Sequence, residues 1–394
     1  MVRVIRWSVA IAVLACVTTA FSQDNPQRPP MPPFDPALMI QGEYVGEVPM
    51  SEGGASTKLG VQVVALGGDV FNVLIFEGGL PGEEGVAWPP IGQEEITVTR
   101  DGNKVTASGN GWSAELSAGP RGPRPQGERP QANRPQGERP QRGMRGPGFV
   151  VPVTVGDQSY EFRKVWRRSE TLGAKAPEGA IVLFEGNPFG GPFGGPRGPR
   201  PQGERGQRPQ GSGPAINVST DNLESGKVEE GTGLLMAEGG VMTKGRFQSF
   251  QLHLEFRTPF MPEARGQGRG NSGLYIQGRY EIQILDSFGL EPKDNECGGL
   301  YQQSVPRVNA CFPPMTWQTY DVDYTAAQFD ADGNKTAPSH LVVKLNGIEI
   351  QNLDMQHETP GGVVTPTEVP EAGPIFLQDH GNPVRFRNFW ILEK

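Results

Sequence analysis

Glu281 and Gln283 stand two residues apart in the stretch GNSGLYIQGRYEIQILDS, residues 270–287. A carboxylate there can take or give a proton, and an amide can both donate to and accept from a hydroxyl group. The pair suits a hydroxyl-rich ligand, although a solvated outer strand face uses the same residue types. Other side chains have the chemistry to act with them. Asp286, Glu255 and His380 are further candidates for proton transfer, although Asp286 and His380 also suit plain turn positions. Arg385 and Arg387 suit developing negative charge, or structural ion pairs with Glu281 or Glu255. Asn271, Ser272, Tyr275 and Gln378 add donors and acceptors for orienting a ligand.

Strands must position these groups. Gly273–Gln277 and Tyr280–Leu285 alternate apolar and polar residues around a turn at Gly278, so Ile282 and Ile284 face one way and Glu281 and Gln283 the other. In Phe247–Thr258 the residues Phe250, Leu252, Leu254 and Phe256 share one face, with Gln251, His253, Glu255 and Arg257 on the other. Further strands are expected at Thr316–Tyr324, Leu341–Leu345, Ile348–Gln351, Pro374–Gln378 and Val384–Leu392, with Asn346-Gly347 as a hairpin turn. This pattern predicts a sandwich of two sheets, one curved around a ligand. Glu255, Glu281, Arg385 and Arg387 are then expected to meet at one hydrated hollow, since such a cluster is costly to bury unpartnered. Sugars are the natural match.

The chain as a whole reads as all-β. Its 394 residues leave room for about two domains, and 55 Gly and 38 Pro interrupt nearly every stretch long enough for a helix. Residues 1–22 resemble a secretory signal, with Arg3 and Arg6 before an apolar run and small residues at the cleavage point, so a secreted or periplasmic location is expected. An acylated lipoprotein fits less well, because Leu14 is bulky for the site ending at Cys16. No later segment is apolar for long enough to cross a bilayer. Residues 23–35 form a Pro-rich tether. Residues 36–169 carry short strand-like runs, a small β domain with nothing catalytic in it, and 179–394 form the second domain. Two Gly/Pro/Arg-rich inserts, 119–148 and 187–214, share the repeat RPQGER and cannot bury a core. They carry +5 and +3, leaving −16 on the rest of a chain whose net charge is −8. They read as soluble spacers, and no nucleic-acid partner is expected. Cys297 and Cys311, 14 apart, suggest a disulfide worth roughly 3 kcal/mol in an exported protein, with two buried free thiols as the alternative.

Eight motifs occur in order: LFEG, MTKGRFQSFQLHLEFR, NSGLYIQGRYEIQILDS, GGLYQ, WQTYDV, VKLNG, IFLQDHG and VRFRN. The series resembles the 3-keto-disaccharide hydrolase domain over residues 179–394 apart from the insert. The resemblance implies a concanavalin-like β-jelly-roll and a carbohydrate-active hydrolase or lyase, with Tyr301 of GGLYQ among the residues contacting an oligosaccharide or glycoside. Glucanases of this architecture carry E-x-D-x-x-E. Here Gln283 cannot ionise and Asp286 is short, which argues against a retaining glucanase. A 3-keto sugar needs no carboxylate nucleophile. Its ketone acidifies the proton on C2, so Glu281 or Glu255 as base, His380 or Asp286 as acid, and Arg385 or Arg387 at the oxyanion would suffice for elimination followed by hydration. A divalent metal held by Glu281, Asp286 or His380 is an allowed substitute for the cation, though no spacing identifies a metal site. A non-catalytic, lectin-like sugar-binding protein is the alternative function. Oligomeric state, sugar and linkage are not legible.

Overall fold

Alternation of apolar and polar residues makes strands the dominant regular element of the described residues. The computed structural model describes residues 35–49, 54–101, 104–117, 150–155, 157–187, 219–359 and 367–394. The expected leader at 1–22, nearly all of the expected tether at 23–35 and nearly all of the two Gly/Pro/Arg-rich inserts lie outside the described residues. Among the described residues no helix is long and apolar enough to cross a membrane.

The N-terminal part is an antiparallel sheet. Among the described residues its strands are β1 Gly42–Pro49, β2 Ser56–Gly67, β3 Val70–Glu77, β4 Gly92–Thr97, β5 Thr99–Asp101, β6 Lys104–Gly109, β7 Trp112–Ser117, β8 Val150–Val155 and β9 Gln158–Val165. They lie in the order β4-β3-β2-β1-β9-β8-β7-β6-β5. The two edge strands, β4 and β5, are consecutive in the chain and joined through Val98. Side chains from both ends of the order, Ile96 and Ala107, line the same interior as Tyr44 of the central β1, so the sheet wraps into a barrel.

The C-terminal part is a sandwich. Its larger sheet runs Lys227–Glu229, Leu234–Met236, Arg385–Glu393, Phe250–Arg257, Gln318–Thr325, His340–Leu345, Ile348–Asp354, with Ile181–Phe184 also paired to Arg385–Glu393. Its smaller sheet runs Val241–Met242, Phe376–Leu377, Ser272–Ile276, Tyr280–Ile284. Leu252, Leu254 and Phe256 of the first sheet and Leu274, Ile282 and Ile284 of the second bury into one core. Each such side chain contributes on the order of 1.5–3 kcal/mol. The expected hairpin turns are present. Gln277 and Gly278 have φ of 49° and 66°, and Asn346 and Gly347 have φ of 56° and 86°. Left-handed pairs of this kind match the twist of tight two-residue hairpins.

Barrel and sandwich pack together within residues 36–394 as one compact unit. Val64, Leu74 and Phe76 on the outer face of β2 and β3 meet Phe288 from a sandwich loop. Arg167 forks onto the buried Glu43, its Nε donating at 2.7 Å. From there residues 166–187 run across the outer face of the larger sandwich sheet, tied to it by Thr171 Oγ1 donating to Asp321 (2.6 Å) and by Asn388 Nδ2 donating to the Ala174 carbonyl (2.9 Å).

Candidate active site

The shared core fixes a consequence for the polar residues. A side chain one residue out of phase with the core must point away from it, and the two sheets point away in opposite directions. Glu281 therefore lies on the outer face of the smaller sheet and Glu255 on the outer face of the larger one. The single hollow expected to gather Glu255, Glu281, Arg385 and Arg387 is not formed: the strands have the expected phase, but they belong to different layers.

On the smaller sheet, pairing places Tyr275 opposite Glu281 and Gly273 opposite Gln283. The Tyr275 hydroxyl donates to Glu281 Oε2 at 2.8 Å, and Gln378 Nε2 donates to the same hydroxyl at 3.3 Å. Tyr301 lies beside Tyr275, and its backbone N–H donates to the Glu281 carbonyl at 3.0 Å. Glu281 is only 4% exposed. Burial pushes its carboxyl up to about 7, against the lowering effect of the Tyr275 hydrogen bond. A carboxyl poised near neutrality can both take and return a proton at working pH, which is the condition for general acid–base catalysis. Burial and the neighbouring Glu281 charge raise the Tyr275 hydroxyl well above its ordinary value, so it stays protonated as a donor.

Gly273 makes room for this arrangement. A Cβ at that position would sit 2.4 Å from Glu281 Oε1. Gly273→Ala is therefore expected to swing the carboxylate aside, lowering turnover at least tenfold with little change in unfolding temperature. Steady-state kinetics beside a melting curve check it. Tyr275→Phe removes the one hydrogen bond that lowers the Glu281 carboxyl. Activity that needs the carboxylate should then begin at higher pH, visible as an upward shift of the acid limb of the pH–rate profile.

The other residues expected at this site take varied places. Gln283 Nε2 donates to Asn271 Oδ1 (2.8 Å) and the Ser272 carbonyl (3.0 Å), and Asn271 Nδ2 donates to the Gln267 carbonyl (2.8 Å). Ser272 Oγ donates to the Gln378 carbonyl at 2.7 Å, and Asn382 Oδ1 accepts from the Asn271 backbone N–H at 2.8 Å. These bonds pin both ends of the loop 378–382 to the strand, with His380 exposed between them. Asp286 does not join Glu281. It is sealed at 1% exposure and accepts from Arg269 Nε at 2.7 Å. Burial raises its carboxyl while Arg269 opposes the rise, so this is a structural pair and not a proton donor to a ligand. Arg269 Nη2, which sequence reasoning missed, has no hydrogen-bond partner among the described residues.

The opposite face holds a charge cluster under the 166–187 strap. Glu255 accepts from Gly173 N (2.5 Å), Arg387 Nε (2.6 Å) and Asn388 Nδ2 (2.9 Å), with His253 Nε2 at 3.7 Å. Burial works against its charge, but His253, Arg387, Asn388 and the Gly173 N–H together bring the carboxyl down to about 2. Such a group is too weak a base, and too fully occupied, to abstract a proton. His253 donates or accepts at Asp321 (2.6 Å) and stacks on Trp390, while Arg387 lies 4.0 Å over Trp317. Arg385 pairs with Glu229 at 2.6 Å. Glu255 with Arg387, and Arg385 with Glu229, thus take the ion-pair alternative weighed for the arginines, and Glu255 and Arg387 also line a cavity beside Gly173 and Trp390.

Cys297 and Cys311 are buried free thiols lying against each other, the alternative to the expected disulfide. Among the described residues no three His, Cys, Asp or Glu side chains converge as metal ligands. Of the trio weighed for that role, Glu281 accepts from Tyr275 and Asp286 from Arg269, while His380 lies exposed on the loop 378–382.

A family model described as the 3-keto-alpha-glucoside-1,2-lyase-like domain matches residues 179–392, the whole sandwich. A crystal structure from Parabacteroides distasonis, described as a candidate glycosyl hydrolase, is 31% identical, covering 56% of this chain and 85% of that one with a TM-score of 0.41. A second candidate glycosyl hydrolase from the same organism is 20% identical, covering 43% and 83% with a TM-score of 0.30. Comparison with curated protein sequences returned no significant match. The chain belongs to the 3-keto-alpha-glucoside-1,2-lyase-like domain family and is a carbohydrate-active enzyme of the glycosidase type.

Proposed function

We propose that the enzyme cleaves 3-keto-glycosides by elimination, with Glu281 as the base and Tyr275 as its proton partner. The observation that carries this reading is the Glu281 carboxyl, raised to about 7 and hydrogen-bonded to a phenol. In the first step Glu281 takes the proton from C2 of the sugar, and the C–H electron pair moves toward the C3 ketone oxygen as an enediolate. The pair then returns to form C1=C2 while the C1–O bond breaks. The departing oxygen takes the Tyr275 proton, and Tyr275 recovers one from the newly protonated Glu281, so no charge accumulates in the buried pair. Water adding across C1=C2 completes net hydrolysis. Gln378, Tyr301 and the exposed His380 supply the surrounding sugar contacts. The leader at 1–22 fits delivery to the periplasm or beyond, where such glycosides would be met.

Isotope exchange tests this route. A 3-keto-disaccharide turned over in D2O should give a sugar product carrying deuterium at C2, because addition to the alkene draws that hydrogen from solvent. Product that retains its original C2 hydrogen would mean direct displacement at C1 and would remove Glu281 from the role of carbon base.

A further inference from the structure

We infer that the lumen of the N-terminal barrel is a binding site for a neutral aliphatic chain. The lumen holds a cavity of about 340 Å³, within the range of small-molecule sites. That space suits an alkyl chain of medium length. Its wall is apolar, built from side chains such as Val61, Val63, Val73, Ile75, Ala114 and Val153, and among the described residues no charged one lines it. Ile40 of the helical turn Ala37–Ile40 joins the wall, and its carbonyl accepts from the Tyr44 hydroxyl at 2.5 Å, so the one hydroxyl among the described lining residues is already satisfied.

Along β2 and β3 the interior is packed at one part, where Leu59, Ala65, Phe71 and Val73 are buried, and left unfilled at another. The outward Gln62 and Val64 are each 2% exposed and Leu74 is 0% exposed, because the sandwich covers them. Inward-facing Val61, Val63 and Ile75 remain half-buried. A barrel packed with its own side chains shows the reverse order. Valine and isoleucine that keep water contact inside a fold are an apolar surface awaiting a partner. The open end carries exposed Ile91 (52%) and Val155 (43%) beside Trp112. There the Glu94 carboxylate accepts from Trp112 Nε1 at 3.0 Å and from the Asn110 backbone N–H at 2.9 Å. A negative charge at the mouth disfavours an anionic head group. The geometry therefore favours an alkyl chain with an uncharged end over a free fatty acid, whichever source supplies the chain.

Calorimetric titration of the full chain with dodecan-1-ol, and separately with dodecanoate, tests the site. One alcohol should bind per chain, and dodecanoate should bind at least fivefold more weakly. Ala114→Trp and Ile75→Trp fill the lumen from different strands. Each should weaken alcohol binding at least tenfold while turnover of the sugar substrate is kept. Since a filled variant can misfold, 12-bromododecan-1-ol gives a second reading on the unfilled barrel: it should quench tryptophan emission, and Trp112→Phe should remove most of that quench. Absence of saturable binding, undiminished binding in both filled variants, quenching unaffected by Trp112→Phe, or tighter binding of dodecanoate would each overturn the assignment.

Discussion

Glu281→Gln is expected to lower turnover of a 3-keto-glycoside by about 10²- to 10⁴-fold, the loss that follows removal of a positioned base. The amide keeps the shape of the side chain and an oxygen to accept from Tyr275, so the sheet should fold as before. The same substitution has a stability signature of opposite sign. A carboxyl raised from 4.5 to about 7 on folding binds its proton more tightly in the native state. It therefore leaves stability intact below about pH 4.5 and erodes it as pH rises toward 7, by about 3 kcal/mol in all. Glu281→Gln removes that erosion. Relative to the unsubstituted enzyme, the variant should gain stability between pH 5 and pH 8 while losing activity. Denaturant unfolding at the two pH values reads the gain directly, and a purely structural glutamate would not produce both effects.

Glu255→Ala should do the reverse, acting on stability. It would strand the buried Arg387 guanidinium and leave the Gly173 N–H and Asn388 amide without their acceptor. Breaking a buried pair in this way costs about 3–5 kcal/mol. The pH dependence follows from the direction of the shift. With a folded value of about 2 against 4.5 unfolded, Glu255 contributes stability that is fully present above about pH 4.5 and is lost as pH falls toward 2. Urea unfolding at pH 7 and pH 3 should show a large deficit for Glu255→Ala at pH 7 that narrows at pH 3. A variant that folded normally but lost all turnover would move Glu255 back into the chemistry.

The two glutamates mark where the sequence is informative and where it stops. Period-2 alternation placed Ile282 and Ile284 against the core and Glu281 and Gln283 away from it, and the strands around Phe250 to Phe256 sorted equally well. Alternation tells which way a side chain points relative to its own strand. It carries no information about which layer the strand joins, so Glu255 and Glu281, both in phase as polar-face residues, could not be assigned to opposite sides of the sandwich. The strap at 166–187 added to the difficulty, because its Gly173 N–H, far from Glu255 in sequence, turns an apparently wet residue into a buried ion pair. The Asp286–Arg269 pair is hidden in the same way. Tyr275 was visible as a polar-face aromatic, but its role as partner of Glu281 depends on cross-strand register, set by the turn at Gln277-Gly278. The glycine at 273 was legible only as the first residue of a strand and proves to be the space the Glu281 carboxylate occupies. Most barrel strands were legible as short runs, but β4 and β5 read as one, Glu95–Thr99. Closure of the barrel was not legible, since it depends on β4 and β5 meeting at Val98 and leaving a lumen between them.

The proposed chemistry depends on a buried carboxyl that changes charge near neutral pH. Titration of side-chain carboxyl ¹³C shifts in the enzyme, with the Glu281 signal identified by its loss in Glu281→Gln, measures this directly. A midpoint near 7 that moves upward in Tyr275→Phe is the predicted result. A midpoint near 4.5, unmoved by the loss of the Tyr275 hydroxyl, would contradict it.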